Sequence, residues 1–225
     1  MTYFLLYMLI GAAVGTFSGL LGLGGGVIMI PCLAWAFSMQ GIHPDLIMHM
    51  AAGTSLSVMI FTSIASLRNH LKHCAQVWPI FKRLMVGIIV GTILGAIFGH
   101  FLPNRILEIL FGIFILFISF RLLLAIESKP TRILPGSLGM FSIATLIGGK
   151  SGMLGIGGGA VTTIFLSYCN VPIRNVIAIS AATTSTVATF GTISFMLTGS
   201  FAHNLPSFTT GYIYWPAFLG ILLTG

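Results

Sequence analysis

Acidic residues are nearly missing from this chain, with three Asp plus Glu in 225 residues against ten Lys plus Arg. Charged residues make up only 6% of the sequence, where a soluble domain carries about 25%. So few charges cannot solvate a chain that is 56% apolar with a mean hydropathy of +1.07, which excludes an ordinary water-soluble globule. The acids are Asp45, Glu108 and Glu127, each near a segment end or in a linker, so a carboxylate proton relay has no material to be built from. Cysteine is scarce too. Cys32, Cys74 and Cys169 are widely spaced and form no CxxC pair, which indicates neither a disulfide framework nor a zinc site. The first fifteen residues lack a basic n-region and an Ala-x-Ala cleavage site, and read as a membrane segment rather than a removed leader.

What the chain has in quantity is long uncharged runs. Crossing a hydrocarbon core of about 30 Å takes about 20 apolar residues. Segments of that kind are expected at 3–23, 47–66, 84–102, 106–126, 136–155 and 175–197, with a seventh starting near Tyr212. The fold class is an all-α polytopic membrane protein that lies in the bilayer, so the +7 net charge points to cytoplasmic loops and not to nucleic acid. In segment three, Gly87, Gly91, Gly95 and Gly99 recur every four residues, a small-residue face along which membrane helices approach closely.

Glycine is concentrated at two further places. Residues 15–26, GTFSGLLGLGGG, return at 148–159 as GGKSGMLGIGGG, matching at eight of twelve positions. Each glycine costs about 1 kcal/mol against alanine inside a helix, so both runs are expected to break their segments, with half-helices starting at Val27 and Ala160. A second match, Ala51-Ala52-x-Thr54-Ser55 with Ala181-Ala182-x-Thr184-Ser185, follows at nearly the same offset. The expected organisation is a duplicated four-segment repeat: residues 1–127, a charged, proline-containing linker at 128–135, and 136–225. The second repeat is expected to be incomplete, with a homo-oligomer or a partner helix completing it.

Two topologies fit. If residues 3–37 cross once, Arg105 and Arg174 lie opposite Arg68, Lys72, Lys82, Arg83, Lys129 and Arg132; if they return as a hairpin, only Arg105 does. The hairpin separates the charges better and makes the repeats inverted. Both place residues 68–83 in the cytoplasm.

A broken helix frees main-chain N–H groups, and those at a half-helix N-terminus favour an anion. Gly24, Gly25, Gly26 and Gly157, Gly158, Gly159 are therefore candidate substrate-binding positions, although small residues also serve plain helix packing. Thr54, Ser55, Thr184 and Ser185 offer hydroxyls, which otherwise bond back to their own helix. Ser18 and Ser151 are weaker candidates. Lys150 stands where the first repeat has Phe17. It is either a positive charge for an anion or a side chain snorkelling to the surface.

Residues 149–151 imitate the end of a P-loop, but its leading glycine would fall at Ala144, and GLGGGV fails the dinucleotide pattern at Val27. No cofactor is expected. His70 and His73, three apart in a basic loop with no acidic residue nearby, allow with His43 or His49 an alternative reading as a membrane-embedded metalloenzyme, and a further alternative is a non-transporting fragment or partner subunit.

The motif GTFSGLLGLGGGVIMIP, the Ala-x-Thr-Ser pattern after it and the second GxxSGMLGIGGG resemble the TauE/SafE sulfite exporter family. That resemblance implies a non-enzymatic transporter of the inner membrane, with a duplicated fold of usually eight segments that moves sulfite or organosulfur anions. Two departures stand out: the sequence stops before an eighth segment, and Ile164 stands where the first motif has Pro31.

Overall fold

A computed structural model describes residues 2–21, 25–71, 77–123, 134–202 and 205–225. Its helices are α1 (Thr2–Leu21), α2 (Gly26–Met39), α3 (Ile47–Leu71), α4 (Val77–Phe101), α5 (Asn104–Leu123), α6 (Ser137–Leu154), α7 (Gly159–Tyr168), α8 (Ile173–Gly199) and α9 (Trp215–Thr224), with a 3-10 turn, Pro44–Leu46, leading into α3. Three of them, spanning Pro44–Arg68, Trp78–Phe101 and Ile173–Gly199, are long and apolar enough to cross a membrane. The expected linker at 128–135 falls largely outside the described residues.

Large apolar side chains face outward, among them Leu9, Leu94, Phe98, Leu116, Phe120 and Leu146, while Thr54, Ser55, Thr92, Thr162 and Thr183 are buried. Hydroxyls inside and leucines outside is the distribution a lipid solvent selects. Lipid tails provide no hydrophobic drive between helices, so small and hydroxyl residues collect where helices touch.

The glycine face of α4 works as its spacing predicts. A methyl group built on Gly87 would lie 2.6 Å from the Phe141 carbonyl oxygen, and one on Gly91 or Gly95 would collide with the Thr145 or Gly149 carbonyl. Gly99 meets Met153 at the far end. Rising numbers on α4 meet rising numbers on α6, so the two helices run parallel. The same holds for α1 and α9, where Gly220 meets Tyr7, Gly11 meets Ile221 and Gly15 meets Gly225, with Thr224 donating to the Met8 carbonyl at 2.7 Å.

Both glycine runs turn the chain back. The Tyr3 hydroxyl at the start of α1 donates to the Met39 carbonyl at the end of α2, 3.3 Å away, and the Tyr7 and Phe37 rings meet edge to face at 6.2 Å. Were residues 3–39 one continuous crossing, those ends would be separated by about 55 Å at 1.5 Å per residue. In the second element, α7 runs back along α8, with Gly159 beside Thr184 and the Thr163 hydroxyl 2.8 Å from that of Ser180. The half-helices begin at Gly26 and Gly159, one residue before the positions expected from sequence.

The seventh segment differs from its expectation. Residues 209–214 form a small hairpin pairing Thr209 with Tyr214 and Thr210 with Ile213, and helix follows only from Trp215. Gly211, at φ +58°, takes the first central turn position, where a type II′ turn requires a positive φ. The β-branched Thr and Ile around that glycine are the local signal for it.

Two outcomes test this packing. Gly95→Leu should destabilise the protein by about 2 kcal/mol or more through overpacking, whereas Gly112→Leu, which meets nothing nearby, should not; thermal denaturation followed by size-exclusion chromatography reads both. In a chain whose native cysteines are replaced, cysteines at positions 3 and 39 should be bridged by a short bifunctional thiol reagent, and absence of the bridge in well-folded protein contradicts the hairpin.

Candidate functional site at the paired glycine breaks

The two breaks meet. A methyl group on Gly26 would lie 3.0 Å from both Cα and the carbonyl oxygen of Ile156, and would collide with the Met59 side chain. One on Gly157 would lie 2.6 Å from Met59 Sδ and 3.0 Å from Thr184 Cγ2. Met59 of α3 thus touches both breaks, and Thr184 of α8 closes the second from the other side. Helices α3 and α8 carry this junction as an antiparallel central pair, with Leu56 against Gly191 further along.

The second break is built on left-handed glycine. Gly155, Gly157 and Gly158 have φ of +75°, +85° and +72°, a region that costs an L-residue about 1–2 kcal/mol. Gly155 ends α6, with its N–H donating to the Ser151 carbonyl at 2.9 Å, and Ile156 N–H bonds the same carbonyl at 3.2 Å. Gly159 N–H bonds the Gly157 carbonyl at 2.9 Å, and Thr162 N–H bonds that of Gly158 at 3.0 Å. Among the described residues this leaves the N–H groups of Gly157, Gly158, Ala160 and Val161 without a main-chain partner, and they share the positive end of α7. The first break is different where it is described. Gly25 caps α2 in the right-handed region, at φ −55° and ψ −28°, and borders a cavity of about 110 Å³ lined by Gly15, Met29, Val58, Thr62 and Gly225 among others. Gly24 lies outside the described residues.

The hydroxyls divide. Ser55 donates to the Gly155 carbonyl at 3.3 Å, tying α3 to the second break. Thr184 lies beside Gly157 and Gly159 while bonding back to the Ser180 carbonyl at 2.9 Å. Thr54 turns away, and its Oγ1 accepts the Tyr214 N–H at 3.1 Å. Ser185 lines a separate groove of about 300 Å³ with Trp78, Phe81 and Thr189. Lys150 is exposed on the outer side of α6, its ammonium 4.3 Å from the centre of the Phe114 ring and 5.8 Å from that of Phe117. It is not brought to the breaks. Side chains on a helix lean toward its N-terminus, so this lysine points back along α6.

Four neighbours of the junction carried little signal in the sequence. Ser151, whose Oγ would lie 3.4 Å from a methyl on Gly158, was marked only by its match to Ser18. Met59 is an apolar residue in an apolar helix. Thr162 and Thr183 share a hydrogen bond of 3.2 Å between α7 and α8, but hydroxyls are plentiful throughout α8. For the metal alternative, no group of three or more metal-ligating side chains occurs among the described residues. The side chains of His70 and His73 are not among those described.

Comparison with known proteins agrees with this architecture. The chain is 31% identical over 226 residues to a probable membrane transporter protein of Haemophilus influenzae, covering 99% of this chain and 85% of the relative. A probable membrane transporter protein of Methanocaldococcus jannaschii is 29% identical over 211 residues, with 93% and 75% covered. The probable membrane transporter protein YunE of Bacillus subtilis is 28% identical over 178 residues, covering 70% of this chain and 65% of the relative. No solved structure matches. The model of the family described as sulfite exporter TauE/SafE matches residues 7–225, and the chain with its two meeting glycine breaks belongs to that family of membrane transporters.

Proposed function

We propose that this chain is a secondary transporter of small anions, and that the anion binds where the two glycine breaks meet. The observation that carries this reading is the approach of Gly26 to Ile156 across Met59, beside a run of unpartnered N–H groups at the start of α7. Main-chain groups freed from a helix within a membrane are tolerated where they are buried in protein or line a cavity. Breaks occurring once in each half of a transporter point to its central site. The residues assigned to the anion are Gly25, Gly26, Gly157 and Gly158 through N–H groups, with Gly159, Ser55 and Thr184 shaping the junction through the hydrogen bonds they already make and Ser151 at the rim. Thr54, Ser185 and Lys150 are assigned other roles by their positions. Sulfite is the first anion to test, because the family's description names it.

The reading includes an inverted repeat in which α1, α2, α3 and α4 correspond to α6, α7, α8 and α9. Packing supports it: α4 lies along α6 as α9 lies along α1, α2 packs on α3 as α7 packs on α8, and α4 meets α8 as α9 meets α3. Each exchange of labels maps one contact onto another, and α3 with α8 maps onto itself. Alternating access would then be movement of one half against the other about that central pair. The basic stretch at 68–83, which takes in the end of α3 and the start of α4, faces the cytoplasm of an inner-membrane protein, and the activity is transport without enzymatic chemistry.

Purified protein in liposomes should take up radiolabelled sulfite or exchange it across the bilayer. Gly158→Val places a β-branched residue at φ +72° against Val187 and should abolish that flux while the protein still inserts. Normal flux in this variant, or no flux of sulfite, thiosulfate, sulfonates or small carboxylates in the wild type, would sink the reading. Lys150→Met should leave the apparent affinity within about twofold, since an exposed charge away from the site contributes little. A tenfold loss would return Lys150 to the anion.

A further inference from the structure

Away from the breaks, at the end of the bundle opposite residues 68–83, three titratable side chains from three elements converge. His49 of α3 is buried, with Nε2 3.1 Å from the Gly99 carbonyl of α4. A carbonyl only accepts, so Nε2 carries the proton and Nδ1 of the neutral ring is a bare acceptor. That Nδ1 is buried and has no hydrogen-bond partner. The His49 ring lies 5.1 Å from the ring of Tyr212 in the 209–214 hairpin, at 31°. On the other side the Tyr212 hydroxyl is 2.9 Å from His100 Nδ1. Burial pushes the Tyr212 phenol above its ordinary range, so it keeps its proton and donates to His100 whenever Nδ1 is the bare nitrogen of that ring.

The hairpin carrying Tyr212 is wedged into the helix bundle. Tyr212 N–H bonds the Phe195 carbonyl at 3.3 Å, a methyl on Gly53 would lie 3.0 Å from the Tyr212 carbonyl, and two residues on Tyr214 N–H bonds Thr54. Thr54 adjoins Ser55, which bonds the second break at Gly155. A change in how Tyr212 sits is therefore two short steps from the proposed anion site. Among the described residues, the other charged or titratable groups near this end are His43, Asp45, Arg105 and Glu108. His43 pairs with Asp45 at 3.5 Å, both exposed; Glu108 accepts from Asn104 at 2.6 Å, and that same Asn104 caps Met48 N–H at 2.7 Å. Arg105 starts α5, and the sole charged residue of α8, Arg174, is at its opposite end.

We propose that His49 and His100, joined across Tyr212, form a proton-binding site that couples proton movement to transport by setting whether the 209–214 hairpin stays docked. One proton satisfies the site and a second repels the first, so the pair titrates as a unit. Binding at His49 Nδ1 fills the orphaned position, and binding at His100 Nδ1 reverses the bond to the phenol. The coupling rests on the transporter reading above, but proton binding itself does not.

Trp215 follows the hairpin directly, and its indole N–H bonds Thr210 at 2.8 Å, so its fluorescence reports docking. In a W35F/W78F background, emission should change sigmoidally with pH; His49→Gln and His100→Gln should each abolish or displace the change by at least one pH unit, and His43→Gln should not. In liposomes, His49→Gln should keep sulfite exchange at equal pH and lose the accumulation that a tenfold proton gradient drives in the wild type. Should the double tryptophan replacement not fold, hydrogen exchange at the imidazole C2 positions of the wild type, read by mass spectrometry, gives the titrations, and His49 and His100 should titrate together. A flat wild-type titration, a transition untouched by both substitutions, or independent titration of the two rings overturns the proposal. If the wild type moves no sulfite, the transporter reading fails while the fluorescence titration still decides whether the proton site exists.

Discussion

In hydrocarbon a main-chain N–H or carbonyl must find its partner within the protein, and the arrangement of this molecule follows from how that demand is met at two places where helices stop. At the second break the turn is made by Gly155, Gly157 and Gly158, because glycine enters the left-handed region freely. Gly155 and Ile156 return their N–H groups to one carbonyl, that of Ser151, and Ser55 supplies a hydroxyl to the carbonyl of Gly155. The remaining N–H groups are left to whatever lies at the junction. Everything outward of this point brings helices close enough to exclude lipid from it: glycine against glycine between α4 and α6, and again between α1 and α9.

The membrane class, the two breaks and the α4 glycine face were legible in the sequence because each depends on composition or on a local spacing. Glycine repeated every fourth residue can only place bare backbone along one stripe of a helix, and Gly91 and Gly95 occupy that stripe against Thr145 and Gly149. Whether residues 3–37 cross or turn back was not legible in the same way. It depends on a long-range pairing of Tyr3 with Met39, which charge counting approached from only one direction. The site residues divide along the same line. Thr184 and Ser55 reach the junction, but Thr54, next to Ser55, is rotated about 100° around the helix and meets Tyr214 instead. A motif names adjacent residues, whereas a helix sends them to different neighbours.

The two breaks resemble each other in sequence more than in geometry. The second turns on three left-handed glycines, while Gly25 of the first sits in ordinary helical space. Cavities differ correspondingly. Space adjoins Gly25, bordered by Val58 and Thr62, whereas Gly157, Gly158 and Gly159 are closed over by Met59, Val187 and Thr184. An anion site at this junction, as proposed, would have room on one side and contacts on the other, which favours a small ligand held mostly by the second break.

The placement of Lys150 bears on how the chain is assembled in the first place. Helix α6 contains that charge together with four glycines, and it is not among the helices apolar enough to cross a membrane by themselves. A lysine within a span is costly to insert, up to about 3 kcal/mol at the helix centre on insertion scales, and Lys150 lies four residues from the end of α6. The offset available is the glycine face of α4, synthesised earlier and running in the same direction, together with the aromatic rings that α5 sets against the ammonium. The contacts that hold α6 in the bundle thus come from α4 and α5, both of which precede it in the chain.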